Sequence, residues 1–162
     1  MKGDPKVIKK LNELLADELT AISQYMVHSE MCNNWGYNEL HAAKEAQAID
    51  EMRHAEWLIE RILFLEGMPV VNELLPMSIG GSVPEMIEND LAAESGAAKA
   101  YNDGIALAGD LGDEGSADLL VTILKMEEDH IDWAEKQLTQ IKQMGLENYL
   151  GLQIGVPEEE EA

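Results

Sequence analysis

The sequence predicts an all-α protein: four long helices in two antiparallel hairpins, joined by a long crossover and followed by a short fifth helix. Three observations carry that reading. Apolar residues recur at spacings of three and four over four long segments, almost nothing alternates as a strand would, and the joins run short, long, short. At 162 residues the chain suits a single domain, 1–162, with a proper hydrophobic core.

The first helix, about 5–33, opens on Asp4-Pro5, an N-cap followed by a first-turn proline. It aligns Leu11, Leu14, Glu18, Ile22, Tyr25 and Ser29 on one stripe. The second, about 37–66, aligns Glu51, Ala55, Leu58, Ile62 and Leu65 and is stopped by Gly67-Met68-Pro69. Ser82-Val83-Pro84-Glu85 has capping-box spacing and opens the third, about 83–111, with Ile87, Leu91, Glu94, Ala98, Tyr101, Ile105 and Ala108 in register; Gly112 ends it. The fourth, about 114–144, aligns Leu120, Ile123, Glu127, Ile131, Ala134, Leu138 and Ile141 and stops at Gly145. A short helix over 147–153 precedes an acidic tail, 157–162, whose run Glu158–Glu161 reads as a solvated, frayed end. Helices of this length span about 45 Å, and an extended stretch such as Gly67–Gly81 can run along most of one. Two hairpins joined by one long crossover describe the ferritin-like bundle.

Composition excludes several functions. With 32 acidic against 11 basic residues the formal net charge is −21, which repels nucleic acid and anionic membranes and attracts cations. No apolar run is long enough to span a membrane, and the first fifteen residues carry no apolar secretory core. The single cysteine, Cys32, fits a reducing, cytoplasmic setting and excludes a rubredoxin-type or zinc-ribbon site built from this chain alone.

Each helical stripe carries a glutamate near its middle, where an unpaired carboxylate would be very costly to bury. These are Glu18, Glu51, Glu94 and Glu127, and two of them begin Glu-x-x-His motifs, Glu51…His54 and Glu127…His130. Residues three apart lie on one helix face, so both side chains can reach one ion. The pairs Glu18/Glu94, Glu51/Glu127, His54/His130, Tyr25/Tyr101 and Trp57/Trp133 are all 76 residues apart. The chain is thus two similar hairpins whose polar residues coincide, as a pseudo-twofold site requires. Four carboxylates brought that close cannot all stay ionised without cations, and two divalent ions answer the need. A mixed oxygen and nitrogen donor set suits iron or manganese, and iron is preferred because a carboxylate-rich pair can hold both oxidation states. An isolated Glu-x-x-His is commonplace on helices; two of them plus two solitary glutamates at equal intervals match the di-iron carboxylate pattern of helix bundles.

On these residues the chain resembles the bacterioferritins. The segments Leu15-Ala16-Asp17-Glu18-Leu19-Thr20-Ala21-Ile22, Asp50-Glu51-Met52-Arg53-His54-Ala55-Glu56 and Glu127-Glu128-Asp129-His130 carry most of the resemblance, which extends over essentially the whole chain. It implies a cytoplasmic ferroxidase and iron store, oxidising Fe²⁺ with O₂ or H₂O₂ at a di-iron centre and keeping the ferric mineral inside a shell of twenty-four subunits. Glu51 and Glu127 would bridge the irons, Glu18 and Glu94 cap them, and His54 and His130 bind one each. It further implies haem b shared between two subunits through Met52, an electron-donating role for Tyr25, and a ferredoxin as reductant for iron release. Met52 follows Glu51 by one residue and so points about 100° from the metal-facing stripe; with Leu19, Met26 and Ile49 it forms a second apolar face, as an oligomer interface would. Where some relatives have histidine for an inner-surface iron site this chain has Ala46, although Asp50 remains. Asn34 and Glu66 are candidates for pores between subunits, Trp35 and Trp133 for packing, and His28 and His41 for surface positions. Three alternatives stay open: a haem-free bacterial ferritin, a small rubrerythrin-type di-iron peroxidase without mineral, and a helical scaffold whose glutamates face solvent.

Overall fold

The computed structural model describes residues 1–155; the acidic-tail expectation for 157–162 lies outside them. Five helices follow in order: α1 Pro5–Asn34, α2 Asn38–Phe64, α3 Val83–Asp110, α4 Glu114–Met144 and α5 Leu146–Gln153. No strand occurs among the described residues. α1 packs along α2 and α3 along α4, and contacts of α1 with α3 and α2 with α4 close the ferritin-like bundle.

The ends are set by local chemistry. Asp4 caps α1 by accepting from the Lys6 amide, Ser82 caps α3 at the Glu85 amide, and Asp113 caps α4 at the Ser116 amide. α1 and α3 finish alike. At Gly36 and Gly112 the chain turns left-handed, and the next residue returns its amide to the last turn (Tyr37 to Cys32, 2.9 Å; Asp113 to Ala108, 2.8 Å). These glycines are themselves 76 residues apart, so the repeat extends to both hairpin turns. α2 ends at Phe64, two residues earlier than the apolar pattern predicts. The same turn forms around Glu66, at φ 60°, with Gly67 donating to the Ile62 carbonyl at 2.9 Å.

The core is divided into two apolar clusters. One gathers Val7, Leu11, Leu14, Leu15, Leu58, Ile62, Tyr101, Leu120 and Ile123; the other gathers Cys32, Leu40, Met86, Ile87, Ala134 and Tyr149. α5 caps the second through Tyr149, fully buried, whose hydroxyl donates to Gln137 Oε1 at 2.8 Å. Between the clusters lies the polar middle of the bundle.

The crossover is clasped by a polar stripe of α1. Asn12 Oδ1 accepts from the Val70 amide (2.8 Å), Thr20 Oγ1 from Leu75 (2.9 Å), Gln24 Oε1 from Ser78 (3.0 Å) and His28 Nε2 from Gly80 (3.0 Å). The backbone of an irregular strap thereby finds partners that no ladder supplies. Gly80 lies so close to the start of α3 that an added Cβ would sit 2.7 Å from the Met86 Cα.

The surface reading of His28 is corrected here. His28 is fully buried, with Nδ1 2.9 Å from Asp90 Oδ1 while Nε2 accepts from Gly80. Asp90 also accepts from Gln24 Nε2 (2.7 Å) and Lys44 Nζ (2.5 Å), and the Lys44 ammonium stands 4.7 Å from the Trp133 ring centre. The lone spacing of His28 concealed this, because its partner lies on another helix. His41 is half-buried rather than exposed, with Nδ1 2.8 Å from Ser29 Oγ. Leu19, expected on the outer apolar face, packs on the first core cluster.

Candidate metal centre

All four helices deliver one carboxylate to the middle of the bundle, and α2 and α4 add a histidine one turn on. Glu18, Glu51, Glu94, Glu127, His54 and His130 are all buried. Their donor atoms form two overlapping sets, Glu18–Glu51–His54–Glu127 and Glu51–Glu94–Glu127–His130, each with all donors within 4.8 Å of one another. Glu51 and Glu127 belong to both sets. Two ions could therefore share them, each completed by one further glutamate and one imidazole.

His54 Nδ1 lies 2.8 Å from Glu51, 3.0 Å from Glu127 and 3.5 Å from Glu18; His130 Nδ1 lies 3.1 Å from Glu51 and 3.3 Å from Glu94. Both imidazoles present the same nitrogen to the carboxylates. Burial works against a charged His54, yet the carboxylates of Glu127, Glu18 and Glu51 facing it push it up to about 12. In His130, burial is likewise outweighed by Glu51 and Glu94, which push it up to about 11. Burial raises Glu127 to about 10 and Glu18 to about 8, while the two imidazoles overcome burial at Glu51 and hold it near 2. Protons thus occupy positions that cations would take. The substitution is imperfect: Glu51 Oε1 against His130 Nδ1, and Glu127 Oε1 against His54 Nδ1, are buried at ion-pair distance without the alignment of a hydrogen bond.

Tyrosines cross between the halves. The Tyr25 hydroxyl donates to Glu94 Oε1 and the Tyr101 hydroxyl to Glu18 Oε1, so each hairpin orients the other's solitary glutamate. Only Tyr25 was singled out for a role from the sequence; the 76-residue repeat already paired it with Tyr101. Lys44 and Asp90 were missed altogether, and no motif marks them. A cavity of about 390 Å³ between α1, α3 and the crossover leads from Asp17 and Asn89 to Glu18, Glu94, Glu51 and Glu127.

The remaining candidates lie elsewhere. Met52 is 46% exposed and, with Ile22, Met26, Ser29, Ala48 and Ile49, lines an apolar depression on the outer face of α1 and α2. Trp133 is half-buried in the second core cluster, whereas Trp35 is more exposed at the α1–α2 turn. Ala46 is exposed, and Asp50 turns toward His130. Asn34 and Glu66 are both exposed, and neither lines the cavity that reaches the carboxylates. Among the described residues no helix is long and apolar enough to cross a membrane.

Comparison with known proteins agrees with this arrangement. Residues 8–144 match the family model described as a ferritin-like domain. The chain is 44% identical over 149 residues to the bacterioferritin of Mycobacterium tuberculosis, covering 92% of this chain and 94% of that protein. It is 42% identical to the bacterioferritin of Brucella melitensis, over 92% of each chain. A bacterial ferritin of Synechocystis is 43% identical over 155 residues, 95% of this chain and 99% of that one.

Proposed function

This chain belongs to the bacterioferritins, and from that premise we propose that it stores iron by oxidising Fe²⁺ at the buried centre and retaining the ferric product inside a hollow shell of twenty-four copies. The observation that carries the reading is the doubled donor set, in which Glu51 and Glu127 are common to two groups of four buried ligands. Fe²⁺ is the substrate, and O₂ or H₂O₂ takes up the electrons that each pair of ions releases. Glu51 and Glu127 bridge, Glu18 and Glu94 cap, and His54 and His130 complete one ion each through Nδ1. Four ionised carboxylates balance the charge of two ferrous ions, and their hard oxygen donors favour the ferric product over the ferrous substrate. Tyr25 and Tyr101 hold Glu94 and Glu18 through their hydroxyls, and on this reading Tyr25 would give up an electron during oxidation. The cavity beside Asp17 serves as the path for Fe²⁺, and the acidic surface concentrates the ion near it.

The exposed apolar depression around Met52 supports a twofold contact between copies with haem b between them, one Met52 from each. A ferredoxin would supply electrons for iron release. Replacement of Glu51 or His130 by alanine should abolish rapid Fe²⁺ oxidation, followed by absorbance of the ferric product, while size-exclusion chromatography still shows the assembled shell. Wild-type rates in either variant would exclude the centre as the site of oxidation. A haem-free ferritin would show the same oxidation without a haem absorption band. A rubrerythrin-type peroxidase would be a small oligomer that accumulates no mineral.

A further inference from the structure

The ligands repeat at 76 residues, but the side chains behind the imidazoles do not. His130 Nε2, on the ring edge turned away from Glu51 and Glu94, lies 3.5 Å from Asp50 Oδ2, an ion-pair contact longer than an ordinary hydrogen bond. The other oxygen of Asp50 accepts from Arg53 Nη1 at 3.1 Å, which holds the carboxylate in place. His54 Nε2 faces Met126 Sδ instead, at 3.3 Å. Asp50 and Met126 are 76 residues apart and so occupy the same position in the two copies of the hairpin. One copy backs its histidine with an anionic acceptor, the other with a thioether, which is a weak one.

The difference has a direct chemical consequence. A carboxylate drawing on the far N–H of an imidazole fixes its tautomer and makes the near nitrogen a stronger donor to a metal; such partners are worth about tenfold to a hundredfold in metal affinity. A thioether does much less. The inner donors cannot compensate, because each half has one solitary glutamate, one histidine and the same two shared glutamates. Resting on the two-metal reading above, we propose that Asp50 is a positioning residue for His130 and that the Glu94–His130 half binds its metal more tightly than the Glu18–His54 half. Arg53 shares the charge of Asp50, and the carboxylate is partly exposed, so the effect belongs at the lower end of that range. The centre then fills in order. The first ion settles beside His130, and the arrival of the second beside His54 completes the pair.

Stepwise Co²⁺ titration of the metal-free, assembled protein, followed by absorption and calorimetry, tests this. Two Co²⁺ per chain should bind in two steps about tenfold or more apart, with H130A deleting the tighter step and H54A the weaker. D50N should weaken the tighter step about tenfold and leave the other unchanged. M126D should tighten the weaker step, a gain in affinity that a packing role for this position would not produce. Equal affinities in the wild-type protein, a tight step that survives H130A, or equal changes of both steps in D50N would overturn the proposal. Should D50N not assemble, the wild-type steps and M126D still decide it. Binding of fewer than two Co²⁺ per chain would instead count against the two-metal centre itself.

Discussion

His54 and His130 each set Nδ1 against two or more buried carboxylates, so protons take the positions that metal would take in the proposed centre. Glu18, Glu127, His54 and His130 are all shifted upward and titrate together as one cluster, so that at pH 7 the cluster retains protons that it shares with Glu51. Loading two Zn²⁺ or Fe²⁺ should therefore release up to four protons per chain, read as the dependence of calorimetric heat on buffer ionisation enthalpy. Release of no protons would contradict the proton-for-metal exchange. The sign for stability follows from the same shifts. Groups raised above their unfolded values of 4.5 and 6.5 favour the fold at low pH, and that contribution is lost as pH rises through about 8 to 12. Glu51 acts oppositely, its contribution being lost as pH falls from 4.5 toward 2. Metal-free protein should thus melt lower at pH 9 than at pH 6.5, and the increase in Tm on adding metal should be larger at pH 9. The six candidate ligands could be read from the sequence because metal binding demands particular side chains at particular spacings. Asp50 opposite His130 could not, since it depends on how α2 and α4 meet.

Lys44, Asp90, His28 and Gln24 join α2, α3 and α1 in one buried network at the end of the bundle nearest Gly80. Their counterparts 76 residues away are Leu120, Leu14, Gly104 and Ala100, an apolar solution to the same packing problem. There an added Cβ on Gly104 would meet Leu120 at 3.0 Å, so Leu120 fills the space that a larger side chain would need. Removing the cation alone leaves Asp90 with a charge its remaining partners only partly satisfy. Lys44→Leu should therefore cost about 3–5 kcal/mol in urea unfolding. The double variant K44L/D90L should recover part of that loss, as replacing both members of a buried pair usually does. A double variant less stable than the sum of its singles would refute this account. The elements themselves were legible to within two residues, because caps, glycine turns and apolar stripes are local. The α1 stripe of Asn12, Thr20, Gln24 and His28 was not read as a clasp, because its partners are backbone amides more than fifty residues away.

Among the described residues, apolar side chains stay uncovered in several places. Met26, Val27, Ile49 and Met52 are exposed together on α1 and α2, and the crossover exposes Met68, Val71 and Leu74. The first group fits a twofold contact that buries Met52 against its copy. On the proposal that Met52 ligates haem, Met52→Ala should remove the haem absorption band and leave the proposed Fe²⁺ oxidation at the wild-type rate, since Met52 lies outside the carboxylate centre. Retention of full haem content would exclude the methionine as its ligand. By itself the sequence determined the four-helix plan, the six metal-ligand candidates and their duplication, because helical periodicity and ligand chemistry are written at fixed, short spacings. Only the tertiary structure decided the surroundings of those ligands: which tyrosine orients which glutamate, what stands behind each histidine, and where the buried lysine finds its anion. Those contacts join residues on different helices, and their pairing depends on how the hairpins cross and how the crossover is strapped over them, which no single stretch of sequence encodes.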